Sequence, residues 1–398
     1  MTDYNKIWIA VPTYWGDFGT LENPPTNIFD HPTNPNGNET LSRTLESLCL
    51  LEGDFNILIV LATTHKEYFN ISKNRISKII TNLNTKKAIY LFTQENLEAL
   101  SKITNQNILK LDTYGNIRNL QLFVPYTLEA DIVIAIDDDE VVEDPYFVQK
   151  VADSFKNCNQ AGGLSGPYYD DEGEYEIKDA IKFKNSHTLF ESKIYYLNEG
   201  VKKEMTNKAC IVPSAIAFGG NMSFTRDTIQ KVCHDPFIPR GEDCDYLINC
   251  LMFGIRFYFN SSLKIVHLPP SADASEDSKN IRKIKSDIIR FLYMNYKLKE
   301  YTKITNNTLF DYSVLNPYPG VFICKIDDLV EQAKKVLLDA SGNSLSITEV
   351  NEFLEINMNI CKKQSKEYFI YQKQWCNLLK MVEKSKTCKN ILLNCKMI

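Results

Sequence analysis

The chain has 398 residues, 44% of them hydrophobic and 24% charged, with a formal net charge of −5. That length holds about two to three domains' worth of core, and the composition is ordinary for a soluble globular protein. The mildly acidic balance argues against a nucleic-acid-coating protein, so no nucleic-acid partner is expected.

The opening Met1-Thr2-Asp3-Tyr4-Asn5-Lys6 has no apolar signal core, and no apolar stretch approaches the ~20 residues needed to cross a bilayer. A cytoplasmic protein is expected. Eleven cysteines without a Cys-x-x-Cys pair read as reduced thiols, most of them small core hydrophobes.

In chain order, residues 7–13 and 55–62 read as buried strands, with 40–52, preceded by the capping candidate Asn38, as the helix crossing between them. The Pro/Asn/Gly-rich excursion between Tyr14 and Asn38 is too long for an ordinary connection and reads as a functional or mobile loop. A short strand follows at 89–93, then a helix at 114–126. Strand and helix alternate as in an open α/β sheet.

Residues 132–136 are five consecutive apolar residues, followed directly by Asp137, Asp138 and Asp139. An apolar run without polar alternation fits a strand covered on both faces, and ligands of such sheets collect at the carboxyl ends of the strands. Adjacent carboxylates repel and resist desolvation, so this edge calls for a cation or ligand donors between them. A hard divalent ion, Mg²⁺ or Mn²⁺, is the simplest partner. Asp139 and then Asp137 are favoured as ligands, because alternate positions of an extended segment point the same way. The triplet is not needed as a helix cap, since Asp144-Pro145 opens the next helix.

From 163 to 270 the pattern changes to short strands, loops and clustered aromatics. Tyr168 and Tyr169 read equally as an acceptor-stacking platform or as core. Gly219-Gly220-Asn221-Met222-Ser223-Phe224 contains a glycine pair that lets backbone approach a ligand closely. Arg240-Gly241-Glu242-Asp243-Cys244-Asp245 opens a helix at 243–253 whose inward stripe is Cys244, Leu247, Ile248 and Leu251. Glu242 and Asp243 are left at its amino end, free to face a cleft or simply to complement the helix dipole. Strands follow at 256–260 and 263–267; His267 ends the second, a position as ordinary for a structural histidine as for a ligand. From Ser271 the pattern is helical to the end. Residues 361–398 carry nine lysines against Glu367 and Glu383. They read as a solvated helix surface, or as a peripheral attachment to anionic lipid aided by Trp375, Leu378, Leu379 and Met381.

In their order and spacing these pieces resemble the nucleotide-sugar-dependent glycosyltransferases of the GT-A fold, specifically the large family-2-like group. The matching residues are Ile9-Ala10-Val11-Pro12-Thr13-Tyr14, Gly115-Asn116-Ile117-Arg118-Asn119, Asp137-Asp138-Asp139, the Gly219-Gly220-Asn221 stretch, Gly241-Glu242-Asp243 and His267. The resemblance spans roughly residues 7–270 and omits both the helical tail and the long loop after Tyr14. It implies an α/β, GT-A-like (Rossmann-like) mixed open sheet flanked by helices. The catalytic domain would be residues 1–270, with a nucleotide-sugar half (1–139) and an acceptor half (140–270), followed by a helical region at 271–398.

The resemblance also implies roles. Pro12, Thr13 and Tyr14 would line the base pocket, Arg118 or Asn119 would sit near base or ribose, and Asp137 would contact ribose or sugar. Asp138, Gly220 and Asn221 would complete the donor site. Asp139 would bind the metal bridging the diphosphate, with His267 and Asp137 as further ligands. Asp243 would be the general base, with Glu242 beside it in the catalytic motif. The implied reaction is Mn²⁺- or Mg²⁺-dependent transfer from a nucleotide-sugar, UDP before GDP, to a hydroxyl of a glycan or glycoconjugate, inverting the anomeric centre. A retaining transferase using a GDP-sugar and a non-catalytic nucleotide-sugar-binding module are the alternatives. A haloacid-dehalogenase-type phosphotransferase would need a threonine where Val141 stands. A nucleotidyltransferase would need a phosphate-cradling glycine loop where Pro12-Thr13-Tyr14-Trp15-Gly16 stands.

Overall fold

The computed structural model describes residues 4–17, 27, 29, 32–104, 108–269, 276–307, 309, 311–342 and 345–398, with the side chains of 276–280 excepted. Most of the excursion after Tyr14, and the start of the tail at Ser271, lie outside the described residues.

The first part of the chain alternates as expected: β1 (Ile7–Trp15), α1 (Leu41–Cys49), β2 (Phe55–Thr63), α2 (Tyr68–Asn82), β3 (Ile89–Phe92), α3 (Gln94–Thr104), α4 (Tyr114–Thr127) and β4 (Ile132–Ala135). There follow β5 (Glu140–Val141), α5 (Phe147–Asn157), β6 (Ala161–Ser165), β7 (Tyr168–Tyr169), α6 (Lys193–Met205), β8 (Ile211–Pro213), β9 (Met222–Thr225), α7 (Arg226–Lys231), α8 (Glu242–Met252), β10 (Arg256–Asn260) and β11 (Ile265–His267). Eight strands form one mixed sheet in the order β3-β2-β1-β4-β9-β6-β10-β8. β1 to β4 run parallel, and β9 runs antiparallel between β4 and β6. A second sheet, β5-β11-β7, stands at the carboxyl end of β4 and brings His267 opposite Glu140.

The unbroken apolar strands are buried on both faces, and their alternate residues enter two different cores. Ile9, Val11, Ile57, Ile59 and Ile134 pack with Leu45 and Leu48 of α1 and with Val151 and Phe155 of α5. Trp8, Ala10, Leu58, Val60 and Val133 face α4 and the C-terminal helices. Full burial of each such side chain is worth ~1.5–3 kcal/mol, so a one-residue slip of register would exchange the two faces at large cost.

The C-terminal region is α9 (Glu276–Thr305), α10 (Ile326–Ala340), α11 (Ile347–Glu383) and α12 (Lys386–Leu393). It lies on the α4 side of the sheet. Trp375 is fully buried, packs against Phe123 at 6.4 Å between ring centroids, and donates its Nε1–H to the carbonyl of Ile229 at 2.8 Å. Leu378 and Leu379 are buried with it, and only Met381 is exposed. Three of the four apolar residues considered for lipid contact are therefore core. The end of the chain covers the edge of β3: the Met397 N–H donates to the Ile89 carbonyl at 2.8 Å, and the Leu91 N–H to that of Cys395 at 2.9 Å. This pairing protects an otherwise open strand edge.

The result is the expected α/β architecture, a mixed open sheet flanked by helices with a helical C-terminal region. Some local expectations shift. The α1 cap is Thr40 rather than Asn38. α5 begins at Phe147, two residues beyond Pro145. α8 begins at Glu242, and α4 and α8 are buried almost all round, because helices cover them on the side away from the sheet. The helical tail is interrupted between α9 and α10 by a segment with two 3₁₀ turns, Ser313–Leu315 and Gly320–Phe322. All eleven cysteines are free, and six are buried. No helix among the described residues is long and apolar enough to cross a membrane.

Candidate active site

A cleft of about 350 Å³ opens at the carboxyl end of β4. Tyr14, Arg118, the Asp137–Asp139 triplet, Gly219, Glu242, Asp243 and His267 all line it. The parallel register explains part of this convergence. Ala10 of β1 pairs with Ala135 of β4, so Tyr14 and Asp137 emerge on the same edge.

Arg118 organises the centre of the site. It projects from the second turn of α4, whose start is fixed by Thr113 accepting the Asn116 N–H at 3.3 Å. Its guanidinium donates twice to Asp137, at 2.6 and 2.9 Å, and its Nε–H reaches Glu242 Oε1 at 3.2 Å. Gln121 holds it from behind at 3.2 Å. A bidentate arginine–carboxylate pair sets orientation as well as charge. Arg118 thereby ties the acid triplet to the first turn of α8. Burial pushes the Glu242 carboxyl up, against the pull of Arg118, and Asp243 pushes it further. Asp243 is half-buried, faces the cleft, and accepts the Cys244 N–H at 2.6 Å.

The triplet residues have distinct partners. Asp137 is committed to Arg118. Asp138 accepts the Thr13 hydroxyl at 2.5 Å, and burial, with the Asp139 charge, pushes its carboxyl well above the ordinary range. Asp139 Oδ2 lies 3.4 Å from His267 Nε2. Glu140, a fourth acid not anticipated from sequence, is completely buried behind them. It accepts the Asp137 N–H at 2.9 Å, and its Oε1 has no hydrogen-bond partner among the described residues. Burial, then Asp137 and Asp139, push its carboxyl well up.

His267 completes an aromatic wall. Its ring stacks on Tyr168 at 5.1 Å, and Tyr168 stacks on Phe218 at 4.5 Å. Tyr168 also accepts the Gly220 N–H at 2.8 Å. Tyr169, its sequence neighbour, lies away from the cleft against Tyr175 and Lys264. On the opposite side, Tyr14 packs its ring against Phe29 and Tyr114 at 4.7 and 5.2 Å. The Tyr14 hydroxyl has no hydrogen-bond partner among the described residues, and burial pushes its pKa well up.

Other anticipated residues stand behind the cleft. Pro12 and Thr13 are buried within β1, and Thr13 also accepts the Trp15 Nε1–H at 2.7 Å. Asn119 is fully buried, exchanges hydrogen bonds with the His234 backbone at 2.8 and 2.9 Å, and donates to the Tyr371 hydroxyl of α11. Asn221 ties the Pro167 and Leu263 carbonyls together at 3.1 and 2.8 Å. The glycine pair makes room for side chains of the chain itself: a Cβ on Gly219 would strike the Arg118 guanidinium, and one on Gly220 the Glu140 carboxylate.

The C-terminal region reaches the cleft as well. Arg290 of α9 and Tyr318 line it, beside Lys193 of α6 and Arg240. α9 also braces α8 from behind. Lys297, fully buried, bonds Asp245 at 2.7 Å and Asp235 at 2.9 Å, and the Tyr293 hydroxyl donates to Asp235 at 2.7 Å.

For a divalent ion, the chain offers an oxygen and a nitrogen donor, Asp139 and His267, close together at the cleft surface. Asp137 does not join them, because its carboxylate is taken by Arg118. Among the described residues no group of three or more histidine, cysteine or acidic side chains is gathered to hold a metal. The pair fits a partial site whose remaining positions belong to ligand or water oxygens, as is usual where an ion bridges to a phosphate.

No family model matches the chain, and no curated protein matches its sequence. Solved structures do. A mannosyltransferase from Pyrobaculum calidifontis, in complex with GDP-Man and Mn²⁺, is 10% identical over 94% of this chain and 86% of its own, with a TM-score of 0.47. A mycobacterial protein is 13% identical over 72% of this chain and 74% of its own, with a TM-score of 0.42. Glucosyl-3-phosphoglycerate synthase from M. tuberculosis is 12% identical over 71% of this chain and 78% of its own, with a TM-score of 0.39.

Proposed function

We propose that this chain is a glycosyltransferase that moves a sugar from a nucleotide-sugar donor to an acceptor hydroxyl. One observation carries the reading: Asp139, and the Glu242–Asp243 turn and His267 over a hundred residues further along the chain, line a single cleft at the carboxyl end of β4. Asp139 and His267 would hold Mn²⁺ or Mg²⁺, which when bound neutralises charge building on a departing diphosphate. Asp243 takes the proton of the incoming hydroxyl. Arg118 keeps Asp137 oriented toward the ribose or sugar, and Tyr14 supplies a flat apolar wall for the base. Attack on the face opposite the departing group inverts the anomeric centre. UDP-sugars are the first donors to test and GDP-sugars the second.

In this reading residues 1–139 serve the donor and 140–270 the acceptor, with 271–398 completing the acceptor side through Arg290 and Tyr318. The test is nucleotide release across UDP-, GDP-, dTDP- and CDP-sugars with Mn²⁺ or with EDTA. Release from one donor that needs metal and is lost in Asp139→Ala supports the proposal; no release and no nucleotide-induced thermal shift overturns it. The anomeric configuration of the product, read by NMR, separates inversion from retention. Lipid attachment through the tail rests on exposed lysines alone. Because Trp375, Leu378 and Leu379 are core, its test is Lys362, Lys363 and Lys366→Gln with liposome co-sedimentation, where unchanged binding rejects the idea.

A further inference from the structure

We propose that the acceptor side of this cleft is an anion subsite built around Arg290, and that the acceptor carries a phosphate or carboxylate group there in addition to the hydroxyl that receives the sugar. The proposal rests on the transferase reading and narrows its substrate class.

Arg290 is 7% exposed and lines the cleft. Among the described residues its guanidinium has no hydrogen-bond acceptor and no carboxylate within ion-pair distance. It faces two rings, 5.0 Å from the Phe291 centroid and 5.9 Å from that of Tyr318, and feels the charges of Asp243 and Asp287 without bonding either. Arg118 shows the contrast. It is 5% exposed in the same cleft and satisfies its guanidinium with Asp137, Glu242 and Gln121. A buried cation without partners is costly, and a guanidinium presents a planar fork of donors shaped for a carboxylate or phosphate. A ligand oxyanion is the partner this arginine lacks.

The surroundings support an incoming negative charge. Gly241, in the left-handed region at φ 69°, leaves the space the guanidinium fills; a Cβ there would overlap it. The next residues are Glu242 and Asp243, so an anion at Arg290 lies beside the base. Lys193 and Arg240 also line this wall and share one carboxylate, Asp287; Lys193 pairs with it directly, and Arg240 Nε lies 3.8 Å away. With Arg290 that makes three cations against Asp287, Asp243 being reserved for the acceptor proton. These cations come from α6, α9 and the turn before α8, none from the edge where Asp139 and His267 meet, so they are assigned to the acceptor rather than to the donor diphosphate.

The experiment is a calorimetric titration of the full chain in EDTA, with and without saturating UDP or GDP. Glycerol 3-phosphate, glucose 6-phosphate and glucuronate are compared with glycerol and glucose. The expected result is binding of at least one anionic probe and of neither neutral one, with affinity lowered tenfold or more by Arg290→Gln and less by Arg240→Gln. Which anionic probe binds tells phosphate from carboxylate. Equal behaviour of charged and neutral probes, or wild-type anion affinity in both variants, overturns the proposal. So does an Arg290→Gln variant that loses nucleotide instead of the anion. Should Arg290→Gln fail to fold, Arg240→Gln, which is half-exposed, carries the test. Because the titration uses no sugar donor, anion binding through Arg290 combined with no nucleotide release from any donor rejects the transferase reading and keeps the subsite.

Discussion

Two ionic clusters grip the first turn of the same helix. At the start of α8, Arg118 joins Glu242 to Asp137, and this cluster faces the cleft. Nearly a full turn later, Lys297 joins Asp245 to Asp235, and this cluster is dry, with Lys297 and Asp235 0% exposed. The chemistry is alike but the surroundings differ. The open cluster can exchange a partner with a ligand, whereas the dry one can only hold α8 against α9. The difference assigns activity to one and stability to the other, and each assignment can be broken.

The largest effect is expected on activity. Asp243→Asn, beside the open cluster, removes the proposed base without removing a buried ion, so nucleotide release should fall ~10²–10⁴-fold while the thermal midpoint holds. A variant that keeps its rate breaks the assignment of Asp243. Lys297→Met should do the reverse, leaving Asp235 and Asp245 unpaired and costing ~3–5 kcal/mol in a denaturant melt. Full stability with lost turnover would mean that the dry cluster serves chemistry after all. Arg118→Lys keeps the charge but loses the fork, and should cost ~1.5–3 kcal/mol, read chiefly as weaker nucleotide binding.

The smallest effect is a pH limb from His234, which lies next to both clusters and stacks on Tyr246 at 4.2 Å. Burial, and then Arg118, push its pKa well below the ordinary value. Its folded-state pKa is depressed, so its contribution to stability is present above the unfolded value of about 6.5 and is lost as pH falls below it. The loss is ~1.4 kcal/mol per pH unit. His234→Phe should flatten that limb in melts between about pH 6.5 and 5; an unchanged slope would show that His234 titrates freely.

Much of the fold was legible because the informative signals are local. The apolar runs of β1, β2 and β4 admit only strands buried on both faces, and the acid triplet at the end of β4 marks the edge where the cleft lies. The stretch 163–270 reads as short strands and loops with one helix, so α6 and α7 go unread, as do α2 and α3. Their buried positions, Ser72, Ile76 and Ile80 in one and Leu97 and Leu100 in the other, make stripes too narrow to stand out. Asn119 shows the limit from the other side. Its motif pointed to the donor, yet its amide is spent on the His234 backbone and Tyr371, a partner 252 residues away.

By itself the sequence determined where acids, glycines and apolar runs fall, and through them the alternating architecture and the candidate edge, because strand burial and helix periodicity depend on neighbours a few positions apart. Only the tertiary structure decided how the charges pair. Arg118 with Asp137 and Glu242, Asp139 with His267, Lys297 with two acids, and Arg290 with none among the described residues are outcomes of chain segments meeting across the fold. Whether a buried charge is satisfied or left for a ligand depends on those meetings, to which no local pattern is sensitive.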